Sequence, residues 1–303
     1  MDKIRQNLFP VLAAVIWGLA FSAQADCALK GMEPFTFNGL RALIAVIVLF
    51  FVSIIFAKGF KNIKNQLSDK EYLKNLILGG LCCGCALFVA SNLQQAAFSE
   101  ETESGKVGFI TVFYLMLVPV FALFLKKKSS FNVWISVFLA LIGMYFLCVE
   151  EGTAFSVNVH DLFAFGCAIV FAIHILVIDH FTNKVNGVHL SFMQFFFVSL
   201  FSFICAFMFE KPSLSVAYSC IWQVLYVGVF SSGVAYTLQI LAQKGSNPTV
   251  VTLLLSLESV FAVIFGALIL GEVLSLREYL GCAIMFVAVL LAQIPVKIKN
   301  GTH

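Results

Sequence analysis

The chain has 303 residues, 61% of them hydrophobic and 12% charged, with mean hydropathy +0.98 and net charge +3. A soluble domain carries roughly a quarter of its residues as charged groups, so most of this surface must meet something other than water. The net charge is too small to suggest a nucleic-acid partner, and the 34 phenylalanines suit the lipid-facing sides of helices.

Crossing ~30 Å of hydrocarbon takes about 20 apolar residues as a helix. Runs of that kind predict ten spans, at 8–26, 34–57, 73–96, 105–125, 131–149, 160–179, 189–209, 216–242, 247–270 and 276–295. Backbone groups in lipid must be hydrogen-bonded internally, which makes the spans helical and the fold class all-α integral membrane. The polar stretch 1–7 precedes an apolar run with no small-x-small exit, so this run is read as a first membrane helix and not a cleaved leader. The longest break, 58–72, is read as a loop too short to hold a soluble domain.

The nine cysteines lie mostly inside apolar runs. The Cys82-Cys83-Gly84-Cys85 cluster has no His or Asp beside it and is read as small packing residues, with no metal site and no cofactor expected. Lys and Arg set orientation. With the N-terminus placed inside, fourteen of them fall in inside segments, against four outside at Lys30, Lys106, Lys211 and Arg277. Glu100, Glu101, Glu103, Glu150, Glu151 and Glu210 collect outside. Both termini are therefore expected in the cytoplasm, with the chain in the cell membrane.

A weak internal repeat pairs Leu117-Val118-Pro119-Val120-Phe121-Ala122 with Leu257-Glu258-Ser259-Val260-Phe261-Ala262, an offset of 140 residues. Five spans per half make the halves inverted, an arrangement common in secondary transporters. The predicted units are 1–150 and 151–303.

These segments resemble a known group. They are Ile16-Trp17-Gly18-Leu19-Ala20-Phe21, Pro34-Phe35-Thr36-Phe37-Asn38-Gly39-Leu40-Arg41, Leu93-Gln94-Gln95, Gly105-Lys106-Val107-Gly108-Phe109-Ile110-Thr111 with Tyr114 and Val118-Pro119, Asp161-Leu162-Phe163-Ala164, Tyr226 to Phe230 with Ala235-Tyr236, and Leu257-Glu258 with Gly271-Glu272. Together they resemble the drug/metabolite transporter superfamily, EamA-like branch, across essentially the whole chain. The resemblance implies two five-helix repeats around a central cavity and secondary transport, commonly export of amino acids or related metabolites.

Polar groups at membrane depth are the site candidates. Glu258 lies near the middle of its span, where an ionisable group is costly and usually functional; it is the coupling candidate, with structural hydrogen bonding as the alternative. His174 is a candidate for substrate contact or proton relay, or a packing residue. Arg41 can pair with a substrate carboxylate through its planar fork, although snorkelling to the outer interface is the preferred reading. Ser91 and Gln95 share a helix face; with Asn92 and Gln94 they line a pathway or join helices. Tyr114, Tyr236, Gln239 and Trp17 are further cavity candidates. Pro119 is expected to bend its helix.

No nucleotide-binding loop of the Gly-x-x-x-x-Gly-Lys-Ser/Thr type occurs, so primary pumping is unsupported. Neither a His-Glu-x-x-His nor a Gly-x-Ser-x-Gly motif supports an intramembrane enzyme, and the loops are too short for a sensor's output domain. The sequence therefore points to a secondary exporter of small metabolites working by alternating access, with multidrug export as the alternative. Its expected partners are a small-molecule substrate, membrane lipid and protons as the coupling candidate, in a monomer or homodimer.

Overall fold

A computed structural model describes residues 2–56, 59–98, 104–126, 129–148, 158–265 and 275–294. Lys58, Lys127 and Lys128, the loop acids Glu100, Glu101, Glu103, Glu150 and Glu151, the Gly271-Glu272 pair, and Lys297 and Lys299 lie outside the described residues.

The first half comprises α1 (Asp2–Leu29), α2 (Pro34–Phe56), α3 (Phe60–Leu67), α4 (Lys70–Ala97), α5 (Ser104–Thr111), α6 (Tyr114–Phe124) and α7 (Phe131–Cys148). The second comprises α8 (Val159–Phe181), α9 (Gly187–Phe209), α10 (Leu214–Ser219), α11 (Ile221–Tyr226), a π-helical segment (Val227–Ala235), α12 (Tyr236–Gln243), α13 (Pro248–Leu255), α14 (Glu258–Phe265) and α15 (Leu276–Gln293). No strand occurs among the described residues. Eight helical stretches among them are long and apolar enough to cross a membrane; Phe131–Leu147 and Pro248–Phe261 are apolar but shorter.

Capping explains where many of these helices begin. Asp69 accepts from the Glu71 and Tyr72 amides, and Asn186 and Asn247 cap α9 and α13 in the same way. Capping boxes open α8 (Asn158 with Asp161) and α15 (Ser275 with Glu278). Each side-chain acceptor satisfies amides that no preceding turn can reach. The start of α2 is served from the other half: the Glu210 carboxylate accepts from the Phe35 and Thr36 amides and the Thr36 hydroxyl, all at 2.7 Å. Glu33 returns the contact by accepting from the Lys211 amide at 3.0 Å.

The structure corrects the helix boundaries in three places. The 58–72 break contains a helix, α3, whose lysines and lack of buried residues hid it among loop residues. The expected span 216–242 is interrupted at Cys220, so α10 lies apart from the crossing that begins at Ile221. The expected span 105–125 is interrupted at Val112–Phe113, and α6 continues from there through Pro119.

A matching interruption falls at Ser256–Leu257. At both places short i→i+3 bonds replace the α-helical ladder, such as Phe113 N to Ile110 O and Leu257 N to Leu254 O. These breaks lie 144 residues apart, whereas the sequence match implied 140. The difference is about one helical turn, so neighbouring turns present similar side chains to a sequence comparison.

The two halves pack through paired contacts. α4 runs along α8, and α1 runs along the π-segment and α12. α4 packs on α9, and α2 packs on the π-segment. α5 and α6 lie on α8, while α13 and α14 lie on α1. Each contact has a counterpart with the halves exchanged. The α2–α9 and α7–α15 pairs are their own counterparts.

Small residues make these approaches possible. Gly79, Gly80 and Gly84 of α4 face Phe181, Met193 and Phe197, and Gly143 of α7 meets Gly281 of α15. Such close backbone approach is the usual basis of helix association where no hydrophobic drive exists. Cys83 is buried against this seam and Cys85 is exposed; both are free thiols. Among the described residues no cluster of His, Cys, Asp and Glu is arranged to hold a metal. The outer faces carry Phe51, Phe56, Phe124, Phe131, Phe138, Phe207 and Phe209, all well exposed, as expected of sides that meet lipid.

A Cβ at Gly281 would lie 2.8 Å from the Gly143 carbonyl oxygen and 2.9 Å from Leu147 Cγ. Overpacking of this kind costs about 1–3 kcal/mol. Gly281→Ala is therefore expected to lower the thermal unfolding midpoint in detergent. Gly108→Ala, whose Cβ would meet only Phe21 Cε1 at 3.9 Å, should leave it unchanged or raised. Equal shifts for the two variants would remove the α7–α15 approach as the cause.

Candidate functional site

A cavity lined by polar and aromatic side chains lies between the two halves. α1 supplies Trp17, Ala20, Phe21 and Gln24; α2 supplies Arg41; α4 supplies Gln94. Thr111 and Tyr114 flank the first helix break, and Leu255 and Glu258 flank the second. Phe171 and Ile175 of α8, Ser231 of the π-segment, and Tyr236 and Gln239 of α12 complete the lining. The space open to the centre of a water molecule is about 50 Å³. That volume holds a few waters, so the cavity is narrow.

The two breaks place Tyr114 and Glu258 in equivalent positions, each the first residue after its interruption. The Tyr114 phenol and the Glu258 carboxyl thus line the same cavity from opposite halves. Glu258 is 6% exposed and Arg41 3%. Arg41 forms no ion pair with Glu258. Its Nη1 donates to Gln24 Oε1 at 3.2 Å, and its guanidinium lies 5.5 Å from the Phe37 ring centroid. A buried guanidinium held by one amide and one ring has donors left for an anion. Gln239 Oε1 is buried in the same lining with no partner among the described residues.

The aromatic wall is ordered by ring contacts. Trp17 meets Tyr236 edge-on at 4.8 Å, Tyr236 meets Phe195 at 5.6 Å, and Tyr114 meets Phe171 at 6.3 Å. Trp17 Nε1 donates to the Ser231 carbonyl at 3.4 Å. That acceptor belongs to the π-helical segment, a form found mostly in short insertions at functional positions. The Thr237 hydroxyl takes a second carbonyl of the segment, at Gly233.

The sequence candidates divide. Trp17, Tyr114, Tyr236, Gln239, Arg41 and Glu258 come together around the cavity. Arg41 does not snorkel outward, contrary to the preferred reading: it points between the halves, where Gln24 receives it. Ser91, Asn92, Gln95 and His174 are buried but not in the lining. Ser91 bonds back to the Leu87 carbonyl, and Asn92 accepts from Asn38 of α2 at 3.0 Å. Gln95 donates to the Gln24 carbonyl, which ties α4 to α1. His174 Nε2 is bonded to Gln194 Oε1 at 3.1 Å, and its ring backs Tyr236 at 6.2 Å, behind the wall.

Several lining residues were not among the candidates. Phe21 and Gln24 lie four and seven residues beyond Trp17, so the helical period starting from Trp17 reaches both. Gln94 was grouped with its neighbours, and only α4's rotation separates it from them. Nothing in the apolar α8 pattern distinguishes Phe171 from core.

A family model for EamA-like transporters matches residues 5–149 and again residues 159–293. An uncharacterized transporter of Archaeoglobus fulgidus is 29% identical over 297 residues, spanning 98% of this chain and 88% of that protein. Uncharacterized transporter YoaV of Bacillus subtilis is 23% identical over 292 residues, spanning 94% of each. A crystal structure 17% identical in sequence superposes with TM-score 0.76 over 95% of this chain and 96% of that one. At that identity the likeness is one of fold.

Residues in contact within one network do not contribute additively. Tyr114→Phe and Glu258→Gln, measured singly and together by thermal unfolding, should therefore show a coupling of about 0.5–3 kcal/mol. Additivity within about 0.5 kcal/mol would show that the two side chains act separately.

Proposed function

We propose that this chain, which belongs to the EamA-like transporter family, is a secondary exporter of small metabolites, amino acids or related compounds, working by alternating access in the cell membrane. The two segments matched by the family model each contain five helical passes in this reading, inverted relative to one another, with both termini cytoplasmic. The exchanged-halves packing of α4–α8 with α1–α12 supports the repeat, and the excess of Lys and Arg on the expected inner side supports the orientation.

One observation carries the substrate reading. Arg41 from the first half and Glu258 from the second are buried at one cavity without pairing with each other. An unneutralised guanidinium away from water is costly, and a bound carboxylate relieves that cost through two parallel hydrogen bonds. A solute with a carboxylate meets Arg41, while Glu258 takes or gives a proton as the cavity changes sides. Inward protons then exchange for outward solute. The aromatic wall of Trp17, Phe171 and Tyr236 accommodates an apolar portion of the solute. The same wall is the observation that favours a multidrug exporter as second reading, although a bulky drug needs more than this narrow volume provides.

Three results test this reading in inside-out vesicles given labelled amino acids, nucleosides and amines, with and without a proton gradient. Gradient-dependent accumulation of amino acids is expected, and accumulation of amines alone would favour the multidrug reading. Glu258→Gln should reduce gradient-driven uptake to the no-gradient level while leaving counterflow exchange; unchanged pH dependence would dismiss Glu258 as the proton carrier. Arg41→Gln should raise the half-saturation concentration tenfold or more. Arg41→Lys should recover part of that loss, because lysine keeps the charge but not the planar fork.

A further inference from the structure

A second site joins the two halves away from the cavity. Cys27 lies in the last turns of α1, and Cys220 lies between α10 and α11. Both are fully buried free thiols in one small apolar cluster with Phe37 and Val224. They are the two cysteines of that cluster, and they come from opposite halves of the chain. The neighbouring residues confirm how closely the backbones run: Gln223 Nε2, one turn beyond Cys220, donates to Asp26 Oδ2 at 2.5 Å. Asp26 also holds Lys30 at 2.6 Å, and both of those side chains are substantially exposed. No other pair of cysteines from opposite halves shares a cluster among the described residues.

We propose that Cys27 and Cys220 form a dithiol–disulfide pair that pins α1 of the first half to α11 of the second at their outer ends. The outer placement rests on the orientation proposed above; the bond itself does not. Oxidation removes the two Sγ–H hydrogens, forms one S–S bond, and passes two electrons and two protons to an oxidant of the quinone or disulfide class outside the membrane. A disulfide holds its Cα atoms within about 7 Å. α1 and the π-segment after α11 both line the cavity, through Gln24 and Ser231, inward of this pair. An outward opening that parts α1 from α11 must separate the thiols, so the bond keeps the outer side shut and reduction releases it.

The cysteines' other neighbours fit a reversible bond. The Ser219 hydroxyl lies 3.8 Å from Cys220 Sγ, a polar atom beside an otherwise apolar thiol. Neither thiol is reachable in the closed arrangement, since both are 0% exposed. Oxidation therefore proceeds faster whenever the outer ends of α1 and α11 move apart and close again.

The test uses the full chain in proteoliposomes treated with diamide, a small membrane-permeant two-electron oxidant that becomes a hydrazine. Peptide mapping without reductant should find Cys27 joined to Cys220, and dithiothreitol should reverse the bond. Oxidised protein should have a higher thermal midpoint than reduced protein, and Cys27→Ser and Cys220→Ser should each abolish that difference. Uptake should fall at least fivefold on oxidation and recover on reduction, while both serine variants should be insensitive. Thiols that stay separate under diamide, or join other cysteines instead, would overturn the pairing. A mapped Cys27–Cys220 bond without loss of uptake would overturn the pinning. If reduced protein moves none of the solutes, the transport reading has failed, and the mapping and thermal results still decide the pairing.

Discussion

Main-chain amides and carbonyls at membrane depth have to find a partner without help from water, and the architecture follows from that requirement. Long helices satisfy it within themselves. Where the ladder fails, at Val112–Phe113, at Ser256–Leu257 and along Val227–Ala235, the backbone is buried between helices and borders the cavity. Irregular backbone at membrane depth is tolerated in such a place and nowhere facing lipid. The Trp17 indole and the Thr237 hydroxyl each take a carbonyl of the π-segment, so the departure from α-helical bonding is met by side chains. The start of α2 follows the same rule through Glu210 of the other half.

The repeats share a plan but differ in detail, and the differences gather around the cavity. The third crossing of the first half is an uninterrupted helix, α4, whose glycines let α9 approach. Its counterpart is divided into α11, the π-segment and α12. The matching breaks bring up a phenol on one side and a carboxyl on the other, Tyr114 and Glu258. A symmetric frame thereby holds an asymmetric site, with one guanidinium and one carboxyl from opposite halves. The frame itself depends on small residues: glycine contacts at α4–α9 and α7–α15 set the distances that the polar side chains have to bridge.

Much of the frame was legible in the sequence because lipid simplifies the code. Apolar runs of about 20 residues place most of the described helix ends within a few residues, although α1 begins six residues earlier than expected, at Asp2. Amphipathic α3 escaped because it is polar and short. The repeat was visible but one turn out of register, since helical periodicity gives nearly equal matches at neighbouring turns. The break at Val112–Phe113 was not legible, because the local sequence carries no proline or glycine there. Six of the polar candidates do meet at the cavity. Ser91, Asn92, Gln95 and His174 do not, because polarity at membrane depth marks a side chain that faces protein, whether pathway or helix seam.

The run of apolar residues along the sequence by itself determined that the chain spans a membrane as helices, and which polar groups have to be sheltered. Those conclusions rest on transfer energies, which belong to each residue wherever it ends up. Rotation of each helix about its axis was decided only by tertiary packing. Gln94 enters the lining while Gln95 ties α4 to α1, and Arg41 points between the halves with Gln24 as its partner. Neighbouring residues on a helix differ by about 100° in direction. Which of them meets the cavity therefore depends on distant glycines and breaks in other helices, and no local stretch of sequence carries that information.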